Sequence, residues 1–317
     1  MGQNERRKYE TLEDILNGGS FVNYYIGMHN EFDKSKFERD IIGKISGIEL
    51  CNFKNISEVR AVKKLADQKN LKLGIHFPLL RSSYKYRDPM VTSVEKYEYE
   101  EAFQALEMEL KFAKQIEAEY LLIHFPKPMV LDPRLNWSML KFGTHDAVYE
   151  NELTSIEFIT TCESAMDRLE KMSEIAGIPI VLEIEIINKW LYEKEWFVNL
   201  LDKYKNISIC LDSARLHIQG VIDDNFDISQ FVSRLSSYTK NLHIANIQVR
   251  NGVEKRHYPA LPELKEQDGW CNIVQFTSSI EDRSKLQNVL YEHKSDSITL
   301  DELRECYSWI ESQLETI

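Results

Sequence analysis

Eight short apolar runs recur along the chain, and segments of helical length separate them. Two of these segments, 97–118 and 155–177, repeat their apolar residues with the 3.6-residue period of an amphipathic helix. Strands that alternate with helices pair in parallel, because each helix returns the chain to the same end of the sheet. Eight such units in 317 residues predict a single (β/α)8 TIM barrel with a parallel eight-stranded core. The predicted strands are 22–28, 46–53, 71–77, 119–125, 178–186, 207–212, 241–249 and 288–293.

An open, doubly wound sheet is the main alternative to the barrel. That fold usually carries a glycine-rich phosphate-binding turn after its first strand, and the chain has no such turn there. The barrel is therefore favoured.

The segment 155–177 shows what the helical pattern predicts in detail. We expect its apolar stripe to face the core, and Gly177 to end the helix. The stripe consists of Ile156, Ile159, Cys162, Met166, Leu169, Met172 and Ile175.

The domain organisation that follows is a single barrel domain over residues 1–317. Residues 1–20 are polar and are predicted to be an N-terminal extension. The longest insertion, 126–152, follows the fourth strand. Loops of that length often act as lids or subunit contacts, so a homo-oligomer is one expectation.

The net charge limits the expected binding partners, and the cysteine content indicates the cellular compartment. The net charge is −12, which disfavours binding to nucleic acid or to anionic membranes and leaves a small molecule as the expected partner. No apolar run is long enough to predict a membrane span. The five cysteines are scattered without paired spacing, which predicts reduced thiols in a cytoplasmic protein.

The tetrapeptide Ile-His-Phe-Pro occurs twice, at 75–78 and at 123–126, and each copy closes an apolar run. Proline cannot donate to a strand ladder, so each copy is expected to end its strand. Barrel active sites are built at the carboxyl ends of the strands. His76 and His124 are therefore predicted to face one mouth, although each could instead cap its strand through hydrogen bonds.

Metal-competent side chains also mark the later strand ends. Parallel strand ends meet at one mouth of a barrel, so these side chains are expected to lie close together. Carboxylates buried close together repel one another unless they are protonated or bridged by a cation. A divalent metal ion is therefore predicted at the mouth. The side chains are Glu183 and Glu185 (strand five), Asp212 (strand six), His243 (strand seven) and Glu292 (strand eight).

The ordered motifs IHFP, IHFP, GIPIVLE, ISICLD, NLHIAN and VLYEH resemble the xylose isomerase-like TIM barrels. This group contains the sugar phosphate isomerases and epimerases and the AP endonuclease family 2. The resemblance extends from about residue 22 to 313, and it implies a metal held by Glu183, Asp212, His243 and Glu292. Glu185 is the alternative to Glu183, because its sequence context resembles that of the ketose epimerases.

The resemblance and the donor set together predict the chemistry. Three carboxylates with one imidazole favour Mn²⁺, Mg²⁺ or Co²⁺. Such an ion would support isomerisation or epimerisation of a small polyhydroxy or sugar-phosphate substrate through an enediolate. Glu183 and Glu292 would move the proton, and His76 and His124 would contact substrate oxygens.

Two other functions stay open. The endonuclease branch implies a zinc cluster that uses His76, His124 and His257, with His257 as a second-metal ligand. Arg215 and Lys255 stand where that branch has ligands, which disfavours the full cluster. A barrel that binds ligands without catalysis is the third possibility.

Several residues near the strand ends are candidates for substrate binding. Cationic side chains there suit a phosphate or carboxylate, and an aromatic ring suits a sugar face. The candidates are Arg215, Arg250, Arg256, His257 and Trp190.

Overall fold

Eight parallel strands close into a barrel in the computed structural model, which describes residues 22–143 and 145–315. The predicted (β/α)8 barrel is confirmed, and each predicted apolar run overlaps one barrel strand. The strands of the described chain are β1 (Asn23–His29), β2 (Ile45–Phe53), β3 (Lys72–Leu80), β4 (Leu121–Phe125), β5 (Met129–Leu131), β6 (Ala147–Tyr149), β7 (Ile180–Ile184), β8 (Ile207–Asp212), β9 (Thr239–Ile244), β10 (Asn246–Val249), β11 (Val253–Tyr258) and β12 (Asn288–Tyr291). The barrel consists of β1, β2, β3, β4, β7, β8, β9 and β12.

Helices follow the barrel strands, and apolar side chains between the two layers form the main core. None of the described helices combines the length and the apolarity that crossing a membrane requires. The predicted extension, residues 1–20, lies outside the described residues. The α-helices are α1 (Lys34–Asp40), α2 (Ile56–Lys69), α3 (Lys96–Gln115), α4 (Ser155–Ala176), α5 (Lys189–Tyr192), α6 (Trp196–Leu201), α7 (Ser213–Ile222), α8 (Ile228–Leu235), α9 (Ile273–Ser278) and α10 (Leu300–Glu315).

Helix α4 confirms the predicted stop but not the whole predicted stripe. Gly177 ends the helix in the left-handed conformation, with φ of 69°. Ile156 and Ile175, however, are 74% and 83% exposed. At 100° per residue, both point roughly 130° away from the centre of the buried face. That face is formed by Phe158, Cys162, Ala165, Met166, Leu169 and Ser173.

The barrel interior pairs large side chains with glycines at the amino ends of its strands. A Cβ at Gly47 would lie 2.2 Å from the ring of Tyr25, and a Cβ at Gly74 would lie 2.3 Å from the ring of Tyr120. The two rings meet edge to face, with centroids 5.9 Å apart. These tyrosines fill the barrel at that end, so the polar interior side chains of the same strands gather towards the carboxyl ends.

The two Ile-His-Phe-Pro copies end differently. Pro126 follows the last residue of β4, as predicted, but β3 continues through Pro78 to Leu80. The prediction that Pro78 ends its strand is wrong, because the β2–β3 register shifts between Cys51 and Phe53. Pro78 stands at that irregularity, where the ladder does not require its missing N–H.

Two small sheets extend the barrel near its mouth. The insertion 126–152 contains the parallel pair β5–β6. The predicted seventh run, 241–249, divides at Ala245 into β9, in the barrel, and β10, which pairs with β11 in a hairpin. At this break the Ser213 hydroxyl satisfies the backbone of Ala245, because it donates to the Ala245 carbonyl at 2.7 Å and accepts from the Ala245 N–H at 3.2 Å.

Candidate metal centre

Four side chains from consecutive barrel strands converge at the carboxyl end of the barrel. Glu183 lies on β7, Asp212 ends β8, His243 lies on β9 and Glu292 follows β12. One ligand atom from each lies within 4.8 Å of the others. Asp212 and His243 are register partners in the sheet, which places their side chains at the same level. These are the four residues that the sequence and the family resemblance predict as a metal-binding set.

The facing atoms of this set lack ordinary hydrogen bonds. Glu183 Oε2 and both ring nitrogens of His243 are buried without a hydrogen-bond partner in the described chain. His243 Nδ1 lies 3.3 Å from Glu183 Oε2 and 3.2 Å from a Glu292 oxygen. Buried polar atoms normally have partners, so such a group of unsatisfied lone pairs calls for one. A divalent cation at the cluster would satisfy Glu183 Oε2 and His243 Nδ1, and the donor set fits a hard or borderline ion.

The electrostatics of the set point to a surplus of negative charge. Burial and the neighbouring carboxylates of Glu292 and Glu183 together raise the pKa of Asp212 to about 7, although Arg215 and His243 act to lower it. Burial also acts to raise the pKa of Glu183, but Arg215, His124 and His243 outweigh it and hold that pKa well below its usual range. The site therefore retains a proton near neutral pH that a bound cation would displace.

Arg215 projects from the first turn of α7 into this group. Its Nε donates to Glu183 at 2.6 Å, one terminal nitrogen donates to Glu185 at 2.7 Å, and the other lies 2.9 Å from His124 Nε2. A guanidinium has no acceptor, so His124 Nε2 must accept in this contact. Arg215 thus connects Glu183 and Glu185, the two candidate glutamates at the end of β7. Its side-chain nitrogens are therefore already engaged by protein groups.

The two glutamates separate into different groups. Glu183 lies with the four-residue set, whereas Glu185 lies with Asp88 and His124 in a neighbouring buried group. Lys127 reaches this second group, with its Nζ 3.0 Å from Asp88 and 3.5 Å from Glu185. Side-chain cations from Lys127 and Arg215 therefore already balance the second group.

His76 and His124, which the repeated tetrapeptide predicts to face one mouth, both approach Glu183. Their Nε2 atoms lie 3.3 Å and 3.5 Å from Glu183 Oε2, and their rings meet edge to face with centroids 4.7 Å apart. His124 Nδ1 also lies 2.7 Å from Asp88. Both histidines are almost fully buried, so they form one wall of the candidate centre.

The predicted substrate-binding residues lie at different distances from this centre. His257, on the β10–β11 hairpin, has its Nδ1 3.9 Å from Glu292. Arg250 and Arg256 are exposed on or beside the same hairpin. Trp190 lies on α5, where its ring packs against Phe158 at a centroid distance of 6.1 Å. The structure therefore brings the hairpin to the mouth, while Trp190 packs on the helical layer.

Sequence reasoning missed Glu49, Asp88 and Lys127. Glu49 lies within the apolar run of β2, where an isolated acidic residue was a usable signal of an interior polar site. Asp88 comes from an irregular loop after β3, and its position carries no periodic signal. Lys127 directly follows the second Ile-His-Phe-Pro, but only the structure shows that its ammonium is buried against acids.

Comparison with known proteins finds similarity of structure rather than of sequence. No protein-family model matches the chain, and no curated protein matches it. Among solved structures, a D-tagatose 3-epimerase-like protein matches with a TM-score of 0.60 at 12% identity, over 91% of this chain and 99% of that one. The 3-keto-D-glucoside 4-epimerase YcjR from E. coli matches with a TM-score of 0.56 at 12% identity, over 90% and 98%.

The IolI protein, solved with a bound zinc atom, matches with a TM-score of 0.59 at 10% identity, over 92% of this chain and 98% of that one. At sequence identities of 10–12%, this structural similarity establishes the fold alone. The predicted resemblance to the xylose isomerase-like TIM barrels is thereby confirmed at the level of the fold.

Proposed function

We propose that this chain is a metal-dependent isomerase or epimerase that acts on a small sugar or sugar-phosphate-like molecule through an enediolate. The observation that carries the proposal is the convergence of Glu183, Asp212, His243 and Glu292, with Glu183 Oε2 and His243 Nδ1 buried and unsatisfied. The epimerases among the structural neighbours support the reaction class.

The donor set favours Mn²⁺, Mg²⁺ or Co²⁺, since three of its four ligands are carboxylates. Zinc is a further candidate, because the structurally similar IolI protein was solved with zinc. When bound, the cation would polarise adjacent carbonyl and hydroxyl oxygens of the substrate and lower the cost of the enediolate.

Glu183 and Glu292 are the proposed proton carriers. They come from β7 and β12, which β8 and β9 separate in the barrel, so a substrate between them can present a different face to each carboxylate. His76 and His124 lie against Glu183 and are proposed to contact substrate oxygens. The near-complete burial of this wall excludes water, which strengthens each of these interactions.

We propose one metal ion per chain rather than two or three. A hydrolase of the endonuclease type would need a further ion, and two neighbouring buried groups offer ligands for it: His76 with His124 and Glu183, and Asp88 with His124 and Glu185. Arg215 already contacts Glu183 and His124 of the first group, and Lys127 and Arg215 supply two positive charges to the second. A second cation would have to displace them.

The β10–β11 hairpin is the proposed site for a substrate anion. His257 lies near Glu292, and Arg250 and Arg256 add two exposed cations close by. Arg215 would bind a substrate anion only by releasing one of its carboxylates. The hairpin therefore carries the proposed preference for a phosphorylated or acidic substrate.

Metal content per chain tests the proposal directly. Protein purified without chelator or nickel affinity, then reconstituted with Mn²⁺ and desalted, is analysed by elemental mass spectrometry. We expect one ion per chain, which Asp212→Asn loses while keeping the α7 cap. Asp227→Asn is the matched control, because Asp227 caps α8 in the same way and is exposed.

Two results would contradict the proposal. A wild-type protein that binds no metal after reconstitution would make the cluster structural. Two or three zinc ions per chain would favour the hydrolase. If one ion is found, ketoses and sugar phosphates are then screened in D₂O, where ¹H NMR reports exchange of the proton next to the carbonyl.

A further inference from the structure

A buried glutamate that belongs to none of the candidate ligand groups contacts the far side of His243. Glu49 lies on β2, inside the barrel, and is 1% exposed. Its Oε2 is 3.4 Å from His243 Nε2 and accepts a hydrogen bond of 2.8 Å from the Tyr120 hydroxyl. Its other oxygen is buried without a hydrogen-bond partner in the described chain. Such a carboxylate is costly to bury, so the fold retains it against a stability penalty.

The surrounding packing is arranged to place Tyr120 beside this carboxylate. Tyr120 crosses the barrel over Gly74, where a Cβ would lie 2.5 Å from the tyrosine hydroxyl oxygen and 2.3 Å from the ring carbon that carries it. The absence of a side chain at residue 74 is therefore what lets the hydroxyl reach Glu49. An apolar side chain would fill the same space without burying a charge. The arrangement indicates a role for the carboxylate beyond filling the interior.

The two ring nitrogens of His243 face different groups. Nδ1 faces Glu183 and Glu292, and Nε2 faces Glu49. A neutral imidazole has one N–H and one lone pair, so whichever nitrogen carries the proton decides which one can bind a metal. An acceptor at Nε2 holds the proton there and leaves the Nδ1 lone pair directed at the carboxylate cluster.

We infer that Glu49 is a positioning residue for His243, oriented by Tyr120, and that it sets the Nε2–H tautomer so that Nδ1 faces the metal. This inference rests on the proposed function. At 3.4 Å the Glu49 contact is longer than a standard hydrogen bond, and we expect it to shorten when Nδ1 is ligated.

Metal affinity and the His243 tautomer test the inference separately. Mn²⁺ alone is titrated into metal-free protein by isothermal calorimetry, and two-dimensional ¹H–¹⁵N NMR of the imidazoles reports which nitrogen is protonated. We expect Glu49→Gln to weaken Mn²⁺ binding by about 10- to 100-fold, with loss of the single Nε2–H tautomer. Tyr120→Phe, which keeps the ring over Gly74, should weaken binding less. His243→Asn assigns the NMR signal.

Glu109→Gln is the matched control, because Glu109 is another fully buried glutamate, on α3 and outside both ligand groups. We expect its Mn²⁺ affinity to equal that of the wild type. Thermal unfolding of each metal-free variant separates lost affinity from lost folding. Should Glu49→Gln fail to fold, Tyr120→Phe decides, and an unchanged Mn²⁺ affinity in that variant would overturn the inference.

The outcomes distinguish this inference from the proposed function. Wild-type affinity and an unchanged tautomer in Glu49→Gln overturn the inference and leave the metal-dependent function standing. A wild-type protein that binds no Mn²⁺ and no other divalent ion contradicts the proposed function. In that case the tautomer measurement still decides whether Glu49 positions His243.

Discussion

Replacing Arg215 by methionine tests whether this guanidinium is a structural counter-ion of the site. The change keeps an unbranched side chain as far as the position of Nε and removes the rest of the guanidinium with its charge. In the wild type, Arg215 donates to Glu183 at 2.6 Å and to Glu185 at 2.7 Å, and its side chain is 25% exposed. Without it, Glu183 loses its strongest stabilising cation, while Glu185 retains Lys127 at 3.5 Å.

The size of the effect follows from this difference between the two glutamates. Removing one partner of a buried ion pair costs about 3 to 5 kcal/mol. Since Lys127 still balances Glu185 and Arg215 is partly solvated, we expect the lower end, a loss of about 3 kcal/mol in the free energy of unfolding at pH 8. At pH 5 the loss should be smaller, because the unpaired carboxylate can then take up a proton.

Equilibrium urea unfolding of metal-free protein, followed by circular dichroism, measures the loss. Arg304→Met is the control, since Arg304 pairs with Asp301 on the surface, where the two side chains are 56% and 92% exposed. Exposed pairs contribute about 0 to 1 kcal/mol. If Arg215→Met costs no more than Arg304→Met, Arg215 is not a structural counter-ion, and our reading of the second group is wrong.

Three further predictions concern catalysis, stability and a thiol. Glu292→Gln should bind substrate yet lower kcat by at least about 100-fold, as expected for loss of an acid–base group; unchanged turnover of an identified ketose would exclude its proposed role. Burial raises the pKa of Glu109 to about 7, so the folded state holds a proton that the unfolded chain releases from about pH 4.5. The contribution of Glu109 to the free energy of unfolding should therefore fall by about 3 kcal/mol as pH rises from 4.5 to 7 and stay level above. In urea titrations across that range, the stability of Glu109→Gln should fall by about 3 kcal/mol less than that of the wild type. Burial acts to raise the pKa of Cys51, but His76 and His29 outweigh it and lower that pKa to about 6. Iodoacetamide at pH 7 should therefore label Cys51 before the other four cysteines, as peptide mass spectrometry would show, and equal labelling of all five would contradict this.

The barrel was predictable because it depends on local pattern, and the four-residue set was named from the polar residues at the strand ends together with the family resemblance. Short apolar runs separated by amphipathic segments favour parallel pairing, and parallel strands bring their carboxyl ends to one edge of the barrel. Glu183 and Glu185 have the same strand parity, so both were expected to face inward, and both contact Arg215. Local pattern failed at the ends of elements, as with Ile156 and Ile175 on α4 and with Pro78 in β3.

The residues around the set were less predictable, because their positions depend on barrel closure. Asp88 comes from an irregular loop and meets His124 and Lys127 only after β3 and β4 pair. Glu49 meets His243 across the barrel interior, from strands far apart in the sequence. No sequence spacing encodes either contact.

The sequence by itself determined the (β/α)8 fold, the inward parity of the strand-end residues and the chemical types at the mouth. These depend on interactions between near neighbours, which the periods of helices and strands express directly. Only the tertiary structure decided that Glu183 rather than Glu185 joins Asp212, His243 and Glu292, and that Arg215 and Lys127 balance the second group. The physical reason is that electrostatic interactions depend on distances of a few ångströms between side chains from different strands, and barrel closure alone sets those distances.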